Sequence, residues 1–256
     1  MWNNLKNSGR VERPVSTAPR KMPKKTSKRF SKALEMVEPG KSYSVAEAAE
    51  LLGIFPKAKI DESIEIAFKM TIDPRKTDQM IRGTVRLPHG SGKEVKVLVF
   101  AKEGEAATAA KDAGAEFVGF EEYIEKVTSR WTGFDVAVAT PEAMAEVRKL
   151  GRVLGPRGLM PNPKTGTVTD DTAKAVQEVK AGRVEYKLDK GANIQVLAGK
   201  VSFSADQIAD NANTIIDEII KAKPSAAKGR YIENCVLSST MSPGIPLDLK
   251  GILKAA

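Results

Sequence analysis

Between Val147 and Thr169 the chain carries Arg148, Lys149, Arg152, Arg157 and Lys164 and no Asp or Glu. Cations gathered without counter-acids suit a polyanion, because each one that meets a phosphate releases a condensed counterion. Most of this window is residues 151–166, GRVLGPRGLMPNPKTG, which fits neither a helical nor a strand period. Its prolines (Pro156, Pro161, Pro163) and glycines (Gly151, Gly155, Gly158, Gly166) read as a loop. A long loop in a compact domain is as a rule functional or disordered. Proline-fixed φ angles and the apolar Leu154, Leu159 and Met160 favour an ordered loop that packs down. The plainer alternative is a connection whose charges are only solvated.

Two further stretches offer polar groups at strand spacing. Ile64, Ile66, Phe68, Met70 and Ile72 alternate with Glu65, Ala67, Lys69 and Thr71, which predicts one buried and one exposed face. Lys59, Glu62, Ser63, Glu65, Lys69 and Thr71 give this region a mixed polar surface. Carboxylates there repel phosphate, but they accept from base amino groups and ribose hydroxyls. Near the other end, residues 238–243 (SSTMSP) offer hydroxyls, backbone amides and one flexible apolar side chain. If the two strands are neighbours, they form a platform suited to RNA shape and the 2′-OH. Without that pairing, each is an ordinary solvated sheet face.

Signals for enzymatic chemistry fail on inspection. Gly90-Ser91-Gly92-Lys93 looks like a phosphate-binding loop, but Leu87 and Glu94 stand where the motif needs Gly and Ser or Thr. The stretch also leads into a strand rather than a helix. No GxGxxG follows a predicted strand, and the paired acids Glu121 and Glu122 lie on a predicted helix, where a solvated face is the simpler role. A single histidine, His89, and a single cysteine, Cys235, leave no catalytic triad, histidine-based metal site or internal disulfide to build. No catalytic residue, metal ligand or cofactor is therefore assigned. The lone cysteine fits a reducing compartment.

The 256 residues suffice for one large domain or two ordinary ones. The longest apolar run, residues 97–101, is far short of the roughly 18 residues that a spanning helix needs, so no membrane partner is expected. There is no signal-peptide core. Net charge is +9, and residues 1–32 supply all of it with ten Lys/Arg against Glu12. The remaining 31 basic and 31 acidic groups cancel, so an anion site in the folded body has to be a local patch.

Helices are expected at 28–37 and 44–53, the second opened by a Ser44/Glu47 capping box. After the strand at 64–72 and a turn at 73–75, a second strand carries Ile81, Gly83, Val85 and Leu87 opposite Arg82, Thr84 and Arg86. The character changes at Pro88, His89, Gly90 and Gly92. Short apolar strands at 95–101 and 134–139, with a weaker one at 116–119, then alternate with helices at 103–113, 121–130 and 141–150 and a closing helix at 171–181. That alternation predicts βαβ units on a parallel sheet. After Gly182 the antiparallel style returns. Strands at 184–188 and 193–197 read as a pair, followed by a helix capped by Ser204 and Gln207 and a last strand at 231–241. The fold class expected is therefore α/β and α+β in two domains. A discontinuous α+β domain of split β-α-β type (24–90 and 181–256) is built from both chain ends, around an inserted Rossmann-like α/β domain (91–180). A disordered basic extension (1–23) precedes them. Pro88, His89, Gly90 and Gly182 form the hinge of two adjacent crossings.

The run LGRVLGPRGLMPNPKTGTV resembles the signature of the large-subunit ribosomal protein L one family, bacterial type. KRF, KAKIDESIEIAFKMTIDPRK, IRGTVRLPHGSGK, KAGRVEYK and LSSTMSPG extend the resemblance over about residues 22–250. Met22-Pro-Lys-Lys resembles the usual start of bacterial members, so residues 1–21 are either an extension or lie upstream of the true start. The resemblance implies a non-enzymatic protein of the cytoplasmic ribosome, monomeric away from it. Its partners would be the rRNA of the mobile stalk, exit-site tRNA, other large-subunit components and its own operon mRNA, which the family commonly represses. Carried over residue by residue, rRNA contacts fall on Lys59, Asp61, Glu62, Ser63, Glu65, Lys69, Thr240, Met241 and Ser242. Arg157 and Lys164 become phosphate-contact candidates. Two positions depart from the family pattern: Ile60 stands for a usual Phe, and Ser242 for a usual Gly that would permit close backbone approach. Set against this reading is a Rossmann-like nucleotide- or metabolite-binding enzyme, supported only by the α/β middle and the failed GSGK.

Overall fold

The computed structural model describes residues 26–102, 104–227 and 229–249, and the side chain of Lys164 lies outside what is described. The expected disordered extension 1–23 also lies outside the described residues. In chain order the elements are α1 (Lys28–Glu35), α2 (Val45–Ile54), β1 (Ser63–Met70), β2 (Arg82–Arg86), β3 (Val97–Phe100), α3 (Glu105–Asp112), β4 (Phe117–Gly119), α4 (Glu121–Thr128) and β5 (Val136–Ala139). They continue with α5 (Met144–Val147), α6 (Gly151–Leu154), α7 (Thr172–Lys180), β6 (Arg183–Lys187), β7 (Asn193–Lys200), α8 (Ala205–Lys221), β8 (Ile232–Ser239) and β9 (Ile245–Pro246).

One core draws on both chain ends. β1 sits in the middle of a sheet ordered β7-β1-β8-β9, antiparallel throughout. Its even-numbered side chains, Ile64, Ile66, Phe68 and Met70, all point inward and are fully buried. Removing each such side chain from water is worth about 1.5–3 kcal/mol. The helix α8 covers them. Its capping box is in place, with Gln207 N donating to Ser204 Oγ at 3.3 Å and Ser204 N donating to Gln207 Oε1 at 3.1 Å. Ile208, Ala212, Ile215, Ile216 and Ile219 then recur at helical spacing and are buried. Ser44 and Glu47 start α2 in the same way, and α2 packs on α8.

Residues 97–179 pack differently. β4-β3-β5 is a parallel sheet in that order. Val97 to Phe100 are all buried because both faces are covered, as expected for a parallel strand. Leu98 and Phe100 face one cluster with Val127, Val147 and Leu154, and Val97 and Val99 face another with Ala110, Val176 and Val179.

Two local features differ from the sequence expectations. The helix expected at 141–150 opens as a turn, becomes α5, and continues through a tighter turn (Arg148–Leu150) into α6. It therefore runs four residues into the stretch read as loop. Val147, Leu150 and Leu154 share one buried face, which favours continuing the helix, and Pro156 then stops it. Secondly, β6 pairs with β2, and β7 pairs with β1, so the two do not form a ladder with each other beyond the single bridge Leu188↔Ile194. The cause is the turn between them. Asp189 Oδ1 accepts from Gly191 N and Asn193 N at 2.7 Å each, and Ala192 takes φ +60°. That turn sends β7 into the larger sheet, where Ile194, Val196 and Ala198 are buried.

Candidate nucleic-acid interface

The two polar stretches are neighbours. β1 and β8 run antiparallel with Ile64 opposite Ser239, Glu65 opposite Ser238 and Lys69 opposite Asn234. On the other side of β1, Leu197, Gln195 and Asn193 of β7 lie opposite Glu65, Ala67 and Lys69. Side chains alternate across a strand, so the odd-numbered residues of β1 and their partners make one outward face. Glu65 and Lys69 stand exposed on it, with Ser63 half-buried at its edge.

The loops at one end of this face are closely tied. Thr240 N donates to Ser63 O at 3.0 Å, and Ser63 N donates to Thr240 Oγ1 at 3.1 Å, joining residues 177 apart in the chain. Asp61 accepts from Ser202 N at 3.2 Å and from Ser202 Oγ at 3.1 Å, which holds the turn after β7. Lys59 is exposed, Ile60 is 60% exposed and Met241 is 51% exposed. Ser242 is not in the left-handed region, so its backbone does not require glycine. Its hydroxyl accepts from Ser239 N at 2.9 Å and closes the turn.

Glu62 does not lie on the exposed face that the sequence reading assigned to it. It is only 5% exposed. Oε1 accepts from Arg29 Nη1 at 2.8 Å and Ala58 N at 3.2 Å; Oε2 accepts from Ser239 Oγ at 2.5 Å and Met241 N at 3.1 Å. Burial alone would push its pKa up. The hydrogen bonds from Ser239, Met241, Arg29 and Ala58 outweigh burial and hold the carboxyl below its usual value. The reason for its inward direction is parity: 62 shares the even register of Ile64 and Ile66. Sequence reasoning missed Arg29 altogether, since nothing local to it announces a partner 33 residues away. It also missed Asn193, Gln195 and Asn234, whose strands were legible but whose register with β1 was not.

The basic stretch packs down as expected. Leu154 is buried, and Leu159 and Met160 pack on the same cluster. Arg157 is hydrogen-bonded to Thr132 Oγ1. The Pro163–Thr165 turn that carries Lys164 packs against β2, and Thr165 O accepts from Arg183 Nη2 at 2.5 Å. Arg183 in turn pairs with Glu178 at 2.7 Å.

At the crossings, Leu87 N donates to Gly182 O at 3.4 Å. Fully buried Asn211 of α8 accepts from His89 N at 3.2 Å and donates to Gly90 O at 3.1 Å and Ala198 O at 2.8 Å. His89 Nε2 also lies 3.1 Å from Asp210 Oδ2. Pro88 continues from Leu87, itself buried in the shared core. Lys93 of the GSGK stretch is committed to Asp135 at 2.5 Å. Among the described residues no group of three His, Cys, Asp or Glu is placed to hold a metal ion, and no helix is long and apolar enough to cross a membrane.

The polar sheet face, edged by exposed Ile60 and Met241, presents hydrogen-bonding and apolar groups on one surface. Comparison with known proteins gives the class. The model of the ribosomal protein L1p/L10e family matches residues 48–243. The large ribosomal subunit protein uL1 of Leifsonia xyli subsp. xyli is 54% identical over 226 residues, covering 88% of this chain and 98% of its own. Its counterparts in Clavibacter michiganensis subsp. michiganensis and Corynebacterium glutamicum are each 51% identical over 88% of this chain, covering 99% and 94% of their own lengths. The chain belongs to the ribosomal protein L1p/L10e family and is a structural, RNA-binding, non-enzymatic protein.

Proposed function

We propose that this constituent of the large subunit of the cytoplasmic ribosome grips the rRNA of the mobile stalk with the outer face of β7, β1 and β8 and the adjoining 240–242 turn. The observation that carries this reading is the β1–β8 register, which ties Ser63 to Thr240 and sets Glu65 opposite Ser238, so that Lys59, Asp61, Ser63 and Glu65 share one end of the face with Thr240, Met241 and Ser242, while Lys69 extends the face to its other end opposite Asn234. Lys69, Glu65 and Asn234 offer a donor, an acceptor and an amide to ribose and base edges. Met241 and Ile60 offer apolar contact to a splayed base. Arg157 and Lys164 add phosphate contacts from the basic stretch.

In this reading the chain has two lobes, 24–90 with 181–256 and the inserted 91–180, which adjust about Pro88, His89, Gly90 and Gly182. The motion assists release of deacylated tRNA from the exit site. The same platform represses the protein's own operon mRNA where that RNA imitates the stalk, and off the ribosome the protein is a monomer. The test is binding of the full chain to a stalk rRNA fragment and to a scrambled RNA at two salt concentrations. The reading expects preference for the stalk fragment at both, and loss of that preference in Lys69→Ala together with Met241→Ala. Equal binding to both RNAs would refute it and assign the affinity to charge alone.

A further inference from the structure

Glu62 is the one buried acidic or basic side chain among the described residues. A buried carboxylate persists only if its charge is met by donors. Here four donors meet it, and they come from three separate parts of the chain. Oε1 takes Arg29 of α1 and Ala58 of the segment entering β1. Oε2 takes the Ser239 hydroxyl and the Met241 amide at the end of β8. Arg29 adds weaker bonds to Pro56 O at 3.4 Å and Met241 O at 3.5 Å. The 239–242 turn is further closed by Ser242 N donating to Ser239 O at 3.2 Å. Both carboxylate oxygens of Glu62 are thereby spent inside the protein. What the turn leaves outside is the Met241 side chain, and Ile60 lines the neighbouring shallow cleft that also ends at Glu62.

We propose that Glu62 and Arg29 are positioning residues for RNA recognition: they do not touch RNA, but lock the 239–242 turn so that Met241 stands ready for an unstacked base. The inference rests on the proposed use of this face for RNA. A flexible thioether gains from being held, because ordering it at the moment of binding would weaken the complex. Glu62 differs in this from Glu65 and Lys69, whose side chains are free to reach a ligand directly. It also couples α1 to the RNA face, since Arg29 is the only described α1 side chain bonded to that turn.

The test uses the full chain with Glu62→Gln, Arg29→Ala, Met241→Ala and the double variant Glu62→Gln/Met241→Ala, bound to the stalk rRNA fragment at two salt concentrations. Glu62→Gln should weaken binding about tenfold, the scale of losing charge-assisted hydrogen bonds at the site. The salt slope should stay unchanged, because no phosphate contact is lost. In the Met241→Ala background the same substitution should have no further effect on affinity. Methyl NMR of the free protein should show the Met241 signal shifted or broadened in Glu62→Gln and Arg29→Ala. A full tenfold loss persisting in the Met241→Ala background would overturn the proposal, as would wild-type affinity in Glu62→Gln. If Glu62→Gln does not fold, Ser239→Ala removes a single donor and should give a smaller loss, about threefold, with the same dependence on Met241. A changed Met241 signal in a protein that shows no preference for stalk RNA would sustain the positioning role and reject the RNA reading on which its purpose rests.

Discussion

Replacing Gly182 by Ala tests the crossing between the two halves of the core more directly than any charge change. Gly182 has φ +93°, and a Cβ placed on it would lie 2.4 Å from Gly90 Cα and 3.0 Å from both Gly90 C and Ser91 N. The left-handed backbone costs an L-residue roughly 1–2 kcal/mol. Forcing two backbones apart adds about 1–3 kcal/mol, as overpacking does. A total of about 3 kcal/mol should lower the melting temperature by roughly 6–12 °C in a chain of this size. Two controls calibrate it. Gly90 has φ +70° but only Ala181 O near its would-be Cβ, at 3.9 Å, so Gly90→Ala should cost the backbone part alone, about 1–2 kcal/mol. Gly53, in α2, has an ordinary φ and nothing within 4 Å, so Gly53→Ala should stabilise by about 0.5–1 kcal/mol. Melting curves of the three variants give the order. Gly182→Ala melting within a degree or two of wild type, or Gly90→Ala costing more than Gly182→Ala, would refute the close crossing.

Asn211→Leu keeps the side chain's branching but strips partners from His89 N, Gly90 O and Ala198 O and adds bulk at a fully buried site; it should cost about 3 kcal/mol or more in urea unfolding, and a loss under 1 kcal/mol would argue against the buried latch. Acid should destabilise the protein through Glu62 and Glu116, which burial pushes up but hydrogen bonds and Lys180 beside Glu116 hold below the usual range, and through Asp189, lowered chiefly by its bond from Asn193 N. A depressed folded pKa adds stability that is present above the unfolded value and lost as pH falls through the folded one, so the urea midpoint should be flat from neutral pH to about 5 and drop below about 4.5. Glu62→Gln and Glu116→Gln should each shrink that drop, and an unchanged acid limb in both would count against these groups. Burial pushes the Cys235 thiol up to about 12, so a thiol reagent should leave native protein unmodified and label one site after unfolding; rapid native labelling would contradict the packing.

The elements most legible in the sequence are those where one local signal decides the outcome. Alternation in 64–70 specified β1, and Ser44/Glu47 and Ser204/Gln207 specified where α2 and α8 begin. The direction of Glu62 was also legible in principle, because a strand's parity extends one residue past its end. Counting Glu62 into one mixed polar surface with Lys59, Ser63, Glu65, Lys69 and Thr71 overlooked that parity, since those five are odd-numbered while Glu62 shares the inward even register. Other features needed the third dimension. β6 found β2 rather than its sequence neighbour because the Asp189 turn redirects the chain, and no period in 184–197 encodes that choice. The helical run to Leu154 was hidden by Gly151, whose low helix propensity lost to the buried face shared by Val147, Leu150 and Leu154.

Residues 33–256 carry 31 basic and 31 acidic groups, so no general field draws an anion to the body. The platform sharpens that point. The side chains of Asp61, Glu62, Ser239, Thr240 and Ser242 and the backbone of Ser63 are spent on Ser202, Arg29 and one another, which leaves Lys59 and Glu65 exposed near two apolar side chains and Lys69 exposed at the other end of the face. Such a face cannot gain much from counterion release, so whatever it prefers it must prefer by shape and by hydrogen bonds to ribose and base. Ser242 fits this logic. It stands in place of a residue expected to permit close approach, yet its φ is not left-handed and its hydroxyl closes the turn on Ser239 N. Flexibility surrendered there is surrendered before any ligand arrives, and a rigid turn is what a recognition face with little net charge requires.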